Sequence, residues 1–145
     1  MIQVPHPVPH PVTTPFATAT LPEAASLLAP DGSEVRLLLG LQGGGMAHFR
    51  LAPGQVARAV IHRTVEEVWY ITEGSGEMWR RQGDREEVTA LQAGLCLTIP
   101  AGTAFQFRAS ATEPVAAVAV TMPPWPGEEE AVFVAGRWEP ATAPR

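Results

Sequence analysis

From residue 34 onward, apolar and polar residues alternate with a period of two, in short runs broken by glycine and proline. Residues 34–39 (EVRLLL) form the first run, and Gly43-Gly44-Gly45 ends it. In residues 46–51, Ala47, Phe49 and Leu51 fall on one face and Met46, His48 and Arg50 on the other. Residues 56–61 read as a strand, followed by a loop over residues 62–67. Residues 68–72 (VWYIT) are the strongest strand, with Gly74-Ser75-Gly76 expected to turn it into residues 77–81. Gln82-Gly83-Asp84 reads as a hairpin turn leading to a strand over 85–91. Further strands are expected at 95–99, 105–108 and 115–122, with a last edge strand at 132–134. Nine or ten short strands at regular spacing predict an all-β sandwich or barrel.

Before this β region the pattern differs. Residues 1–19 hold the tandem stretch VPHPVPHPV, expected to be an extended, Pro-rich arm because proline fixes φ and donates no ladder bond. His6 and His10 read as solvated residues of that arm. Thr20, Pro22 and Glu23 carry the marks of a helix start, predicting a short helix to about Leu28 before the Pro30-Asp31-Gly32 turn. The expected organisation is an arm at 1–19, one domain at 20–136 and a tail at 137–145.

Composition narrows the function. Apolar residues are 46% of the 145, which suits a folded domain, and 15 prolines with 13 glycines suit many turns. The net charge is −5 with only 10 basic residues, so no basic stripe is present to track a phosphate backbone, and nucleic acid is excluded as the expected partner. Cys96 is the only cysteine, which excludes an internal disulfide and a Cys-based zinc site and fits a reducing cytosol. It is expected in the core. No apolar run is long enough to span a membrane, and the expectation is a cytoplasmic protein with no membrane partner.

Candidate chemistry concentrates in residues 53–76, where His62 and Glu67 stand just before the apolar strand. By parity Trp69 and Ile71 face inward with Glu67, while Glu66 points outward. Phe105 and Phe107 share a face, and Met78 and Val60 complete an apolar, aromatic-lined interior. His48 lies on a strand leading into this region. Trp125, among prolines, reads as a lid or a contact between copies.

The spacing resembles the cupin superfamily. Gly54, five residues, Val60, one residue, His62, four residues, Glu67, six residues and Gly74 follow its first motif. Gly94, five residues, Pro100, one residue, Gly102, two residues, Phe105, three residues and Ala109 follow its second. The resemblance implies a double-stranded β-helix, or jelly-roll, barrel with a pocket at one mouth, commonly as a homodimer. Metal-holding cupins use three His and one Glu; here Val60 and Phe105 stand at two of those positions, leaving His62 and Glu67 as the only metal candidates. The reading is a barrel that binds a small organic ligand through His62, Glu67, Trp69, Met78, Phe105, Phe107 and His48, with no cofactor required. The alternative is an enzyme, isomerase-like or dioxygenase-like, in which His62 and Glu67 hold a divalent metal (Fe, Mn, Ni or Zn) or act as acid and base.

Overall fold

The computed structural model describes residues 14–141. Ten strands follow in order: β1 (Leu27–Leu28), β2 (Glu34–Leu41), β3 (Gly44–Leu51), β4 (Val60–His62), β5 (Glu66–Gln82), β6 (Arg85–Gln92), β7 (Cys96–Ile99), β8 (Ala104–Ala109), β9 (Val115–Met122) and β10 (Ala131–Phe133). A single 3-10 turn at Glu128–Glu130 is the only helical element among the described residues.

The 17-residue β5 organises the rest. Its first half pairs with β7 and β9, and its second half with β6 and β8. It therefore belongs to two sheets: β1-β2-β3-β9-β5-β7 on one side, and β6-β5-β8-β4-β10 on the other. All pairings are antiparallel, and the sheets curl face to face into a jelly-roll barrel. The expected turn at Gly74–Gly76 is not a turn. The register shifts between Ile71 and Glu73, Gly74 takes φ 77°, and the strand continues into the second sheet. A Cβ on Gly74 would overlap the Pro114 carbonyl oxygen, and one on Gly76 the Arg108 carbonyl oxygen. Glycine is needed here because backbones approach closely where the strand bends, which is its other use besides reversing a chain.

Along β3 Ala47 and Leu51 are buried inward as expected, but His48 on the opposite face is buried too. Trp69, Ile71, Met78, Ile99, Phe105 and Phe107 meet between the sheets in one cluster. Each aromatic ring removes roughly 150–250 Å² from water, on the order of 4–6 kcal/mol of transfer free energy at about 25 cal/mol per Å². Gln106, buried between them on the opposite face of β8, has every bonding group used. It donates to the Ala57 and Trp138 carbonyls and accepts from the Arg137 and Trp138 amides. Those bonds, and the pairing of Ala141 with Val56, hold residues 137–141 against the barrel.

Three local expectations are corrected. Residues 20–28 form no helix. Arg36 Nε and Nη2 donate to the carbonyls of Pro22 and Glu23 at 2.8 and 2.7 Å, taking the acceptors a first helical turn would use. Leu27 and Leu28 instead pair with Val35 and Glu34. His62 lies in β4, not in a loop, and the strand expected over 56–61 is confined to Val60–His62 after an isolated bridge at Val56. Cys96 is exposed rather than in the core, because β7 points Leu97 and Ile99 inward and Cys96 and Thr98 outward. Of the expected arm, residues 1–13, with His6 and His10, lie outside the described residues; residues 14–19 are exposed and carry neither helix nor strand.

Candidate functional site

A cavity of about 420 Å³ opens at one mouth of the barrel. Its walls come from β1, β2, β3, β4, β5, β8, β9 and β10, the Ala29–Asp31 turn and Trp125. The four positions that the two motifs align, Val60, His62, Glu67 and Phe105, all line it. Local register explains the convergence. Val60 pairs directly with Phe105 across β4 and β8, so both side chains take the same face. His62, two residues on, shares that face and lies edge-on to Phe105 at 5.0 Å. Glu67 enters from β5, and its Oε1 stands 3.5 Å from His62 Nδ1.

The segment between His62 and Glu67 is pinned from outside the cavity. Glu130 Oε1 accepts from the Thr64 amide, the Thr64 hydroxyl and the Val65 amide at 2.7, 2.6 and 2.7 Å. Gly102 N donates to the His62 carbonyl. This fixes where the two polar side chains stand.

Both groups are deeply buried, His62 at 5% and Glu67 at 3% exposure. Desolvation dominates both. It pushes Glu67 up to about 8, with a smaller upward push from the charge of Asp31, against a weak hydrogen bond from Trp69 Nε1 at 3.4 Å. It pulls His62 down to about 4, slightly opposed by Glu130. Near neutral pH the pair is thus a protonated carboxyl beside a neutral imidazole, and His62 Nδ1 has no hydrogen-bond partner among the described residues.

Aliphatic side chains and four aromatic rings, Phe49, Trp69, Phe105 and Trp125, make the rest of the wall. Phe49 stacks on Trp69 at 5.2 Å, and Trp69 meets Phe105 edge-on at 6.4 Å. Trp125 covers His62 at 4.9 Å from the mouth. Of the expected ligand residues, His62, Glu67, Trp69 and Phe105 line the cavity. Met78 and Phe107 are fully buried beneath it, Phe107 against Trp69 at 5.1 Å, and do not line it. His48 lies on the other face of β3 from its lining neighbours Ala47 and Phe49, paired in register with Arg36, and does not reach the cavity. Burial first, then the Arg36 charge, lowers its pKa.

Asp31 lines the cavity and was read in sequence as a turn residue only. Its carboxyl accepts from the Ser33 amide and hydroxyl at 3.0 and 2.7 Å, the Asx-type turn its neighbours suggest. The leaning of that turn on the barrel, through the Arg58 amide to the Asp31 carbonyl, is a long-range fact with no local signal.

The residues present do not fit a cupin metal. Val60 and Phe105 offer no lone pair, and among the described residues no three His, Cys, Asp or Glu side chains are grouped to hold an ion.

Comparison with known proteins agrees with the fold. Solved structures with this arrangement include a double-stranded β-helix protein of uncharacterised role from Klebsiella pneumoniae, at TM-score 0.58 and 21% identity over 74% of this chain and 89% of that one. Oxalate oxidase in complex with the substrate analogue glycolate matches at TM-score 0.62 and 25% identity, over 81% of this chain and 63% of that one. Streptomyces PAC13 with uridine matches at TM-score 0.62 and 12% identity, over 82% and 92%. Among curated proteins no sequence match is found. Residues 47–121, just over half of the chain, match the cupin domain family, and the chain belongs to that family.

Proposed function

We propose that this chain binds a small organic molecule in the barrel cavity, without a metal, and that His62 and Glu67 are the polar contacts that orient it. The observation carrying this is the convergence of Val60, His62, Glu67 and Phe105 on one wall, where two of four positions are apolar. An aromatic cavity of about 420 Å³ with few polar groups is the usual form of a small-molecule site. The test is a thermal-shift screen of small organic compounds. A ligand at about 100 times its Kd should stabilise by about 2.7 kcal/mol. Ala47→Leu, which fills the cavity from β3, should abolish the shift of any true ligand. A shift that survives the filling, or a broad screen with no shift, would refute the reading.

The same pair supports a second reading, an acid–base enzyme. Two adjacent groups with pKa values displaced in opposite directions are the arrangement that proton transfer uses. A bound ligand incubated in D₂O should then exchange an acidic C–H by NMR, and lose that exchange in both His62→Gln and Glu67→Gln.

We propose further that the chain pairs with a second copy through the outer face of the first sheet. Met46, Val68 and Tyr70 are exposed there at 43%, 44% and 51%, around Val118 and Val120. Light scattering should give twice the 15.5 kDa mass, and Tyr70→Glu should return the monomer.

A further inference from the structure

We propose that the cavity selects a small organic cation, a primary ammonium on an apolar body, which pairs with the Glu67 carboxyl in a cavity whose wall also carries Asp31, with its body against Trp69, Phe49 and Phe105. This rests on the cavity being a ligand site. It adds the chemical class of the ligand.

The charge inventory of the walls comes first. The titratable groups facing the cavity are Asp31, His62 and Glu67, and the remaining polar side chain is Thr121. Among the described residues no arginine side chain lines it. The chain's basic residues are all arginines, and several make contacts elsewhere. The Arg58 guanidinium stacks over Phe133 at 3.4 Å, that of Arg36 is held by the Pro22 and Glu23 carbonyls, and Arg80 bonds the Thr98 carbonyl. An anionic ligand would therefore meet two acids and no cation.

Second, the site holds polar groups with unused bonding capacity. His62, whose side chain is 6% exposed, presents a buried Nδ1 with no partner among the described residues. Glu67, whose side chain is 2% exposed, receives only the long bond from Trp69. A buried polar atom left unmade costs free energy that a ligand donor recovers. An ammonium brings three donors and no acceptor, which matches the Glu67 carboxyl and the adjacent lone pair of a neutral imidazole, 3.5 Å apart.

Third, four aromatic rings stand among the aliphatic walls. Trp69, Phe49, Phe105 and Trp125 surround the polar groups. Desolvated aromatic rings attract a cation through the negative charge of their faces.

The protons balance simply. The ligand enters as the ammonium, Glu67 loses its carboxyl proton to solvent, and the net charge of the occupied pair is zero. The high carboxyl pKa in the empty cavity means this release occurs across neutral pH, so affinity rises as pH rises toward 8. Asp31 moves in the same sense, since burial raises it too. His62 stays neutral throughout that range.

The test uses the full chain and three probes of one shape: 2-phenylethylamine, 2-phenylethanol and 3-phenylpropionate, titrated calorimetrically in amine-free buffer at pH 6 and pH 8. The expected order is amine tighter than alcohol by about tenfold, with the carboxylate weakest, a gap set by one charge-assisted contact. Amine affinity should rise several-fold from pH 6 to pH 8, while alcohol affinity stays level. Glu67→Gln should bring the amine down to the alcohol's affinity and remove its pH dependence. Asp31→Asn, which keeps the acceptor for Ser33, should weaken the amine alone. A carboxylate that binds as tightly as the amine, or an amine indifferent to both substitutions, overturns the inference. Alcohol binding without amine preference overturns it too, yet leaves the cavity reading standing. An amine that fails to bind at all overturns it whatever the alcohol does.

Discussion

Glu67→Gln should make the folded chain less sensitive to alkali. In the folded chain the Glu67 carboxyl titrates near 8, against an ordinary value of 4.5, because burial strips its water. Between those values the folded state holds a proton that the unfolded chain has released. Stability then falls as pH rises, by up to about 1.4 kcal/mol per pH unit for one proton. His62 works the other way at lower pH. Its burial pulls it from 6.5 to about 4, so below 6.5 the unfolded chain gains a proton that the folded chain refuses, and stability rises with pH from 4 to 6.5. The two slopes offset one another between 4.5 and 6.5. Above 6.5 the carboxyl slope prevails, and over 1.5 pH units, flattening as pH nears 8, it amounts to about 1.5 kcal/mol. Asp31, raised by its own burial, adds with the same sign. Urea unfolding followed by tryptophan fluorescence should show wild type losing about 1.5 kcal/mol between pH 6.5 and pH 8. Glu67→Gln, which keeps shape and an acceptor for Trp69 Nε1, should remove most of that loss and be the more stable chain at pH 8. A wild-type profile that is flat or rising over this range, or an undiminished fall in the variant, would refute the assignment of a neutral, desolvated Glu67.

Gly74→Ala combines a left-handed backbone with a steric collision against Pro114, and should destabilise by more than about 3 kcal/mol in urea unfolding, against no more than about 1 for Gly43→Ala, where nothing is near. Glu130→Ala strips the acceptor from the Thr64 and Val65 amides and should cost about 2–3 kcal/mol, with loosened packing of His62 visible as a shifted imidazole resonance. The pair Val60→His with Phe105→His should create the four-group set that the fold positions permit, and calorimetry should detect about one Zn²⁺ per chain where wild type takes none.

Much of the fold was readable in order along the chain. Alternation placed Ala47, Phe49, Leu51, Trp69 and Ile71 on the inner face, and motif spacing brought Val60, His62, Glu67 and Phe105 to one wall. Local signals failed where distant partners outbid them. The capping residues Thr20 and Glu23 predict a helix, but Arg36, more than a dozen residues away, takes the carbonyls. Gly74-Ser75-Gly76 has the composition of a turn, and only the crowding by Pro114 and Arg108 distinguishes a close crossing from a reversal. Glu128, Glu129 and Glu130 look alike in sequence, yet Glu130 alone reaches the Thr64 and Val65 amides. Asp31 joined the site by the same kind of distant contact.

The double membership of β5 bears on how the molecule comes apart. Amides on either side of Gly74 are bonded into different sheets, so neither sheet can shed this strand without breaking the other's ladder. Native-state hydrogen exchange should therefore find β7, β8 and β9 opening together at one free energy, as a single cooperative unit, while β1 and β10, each on an outer edge, exchange by separate local opening.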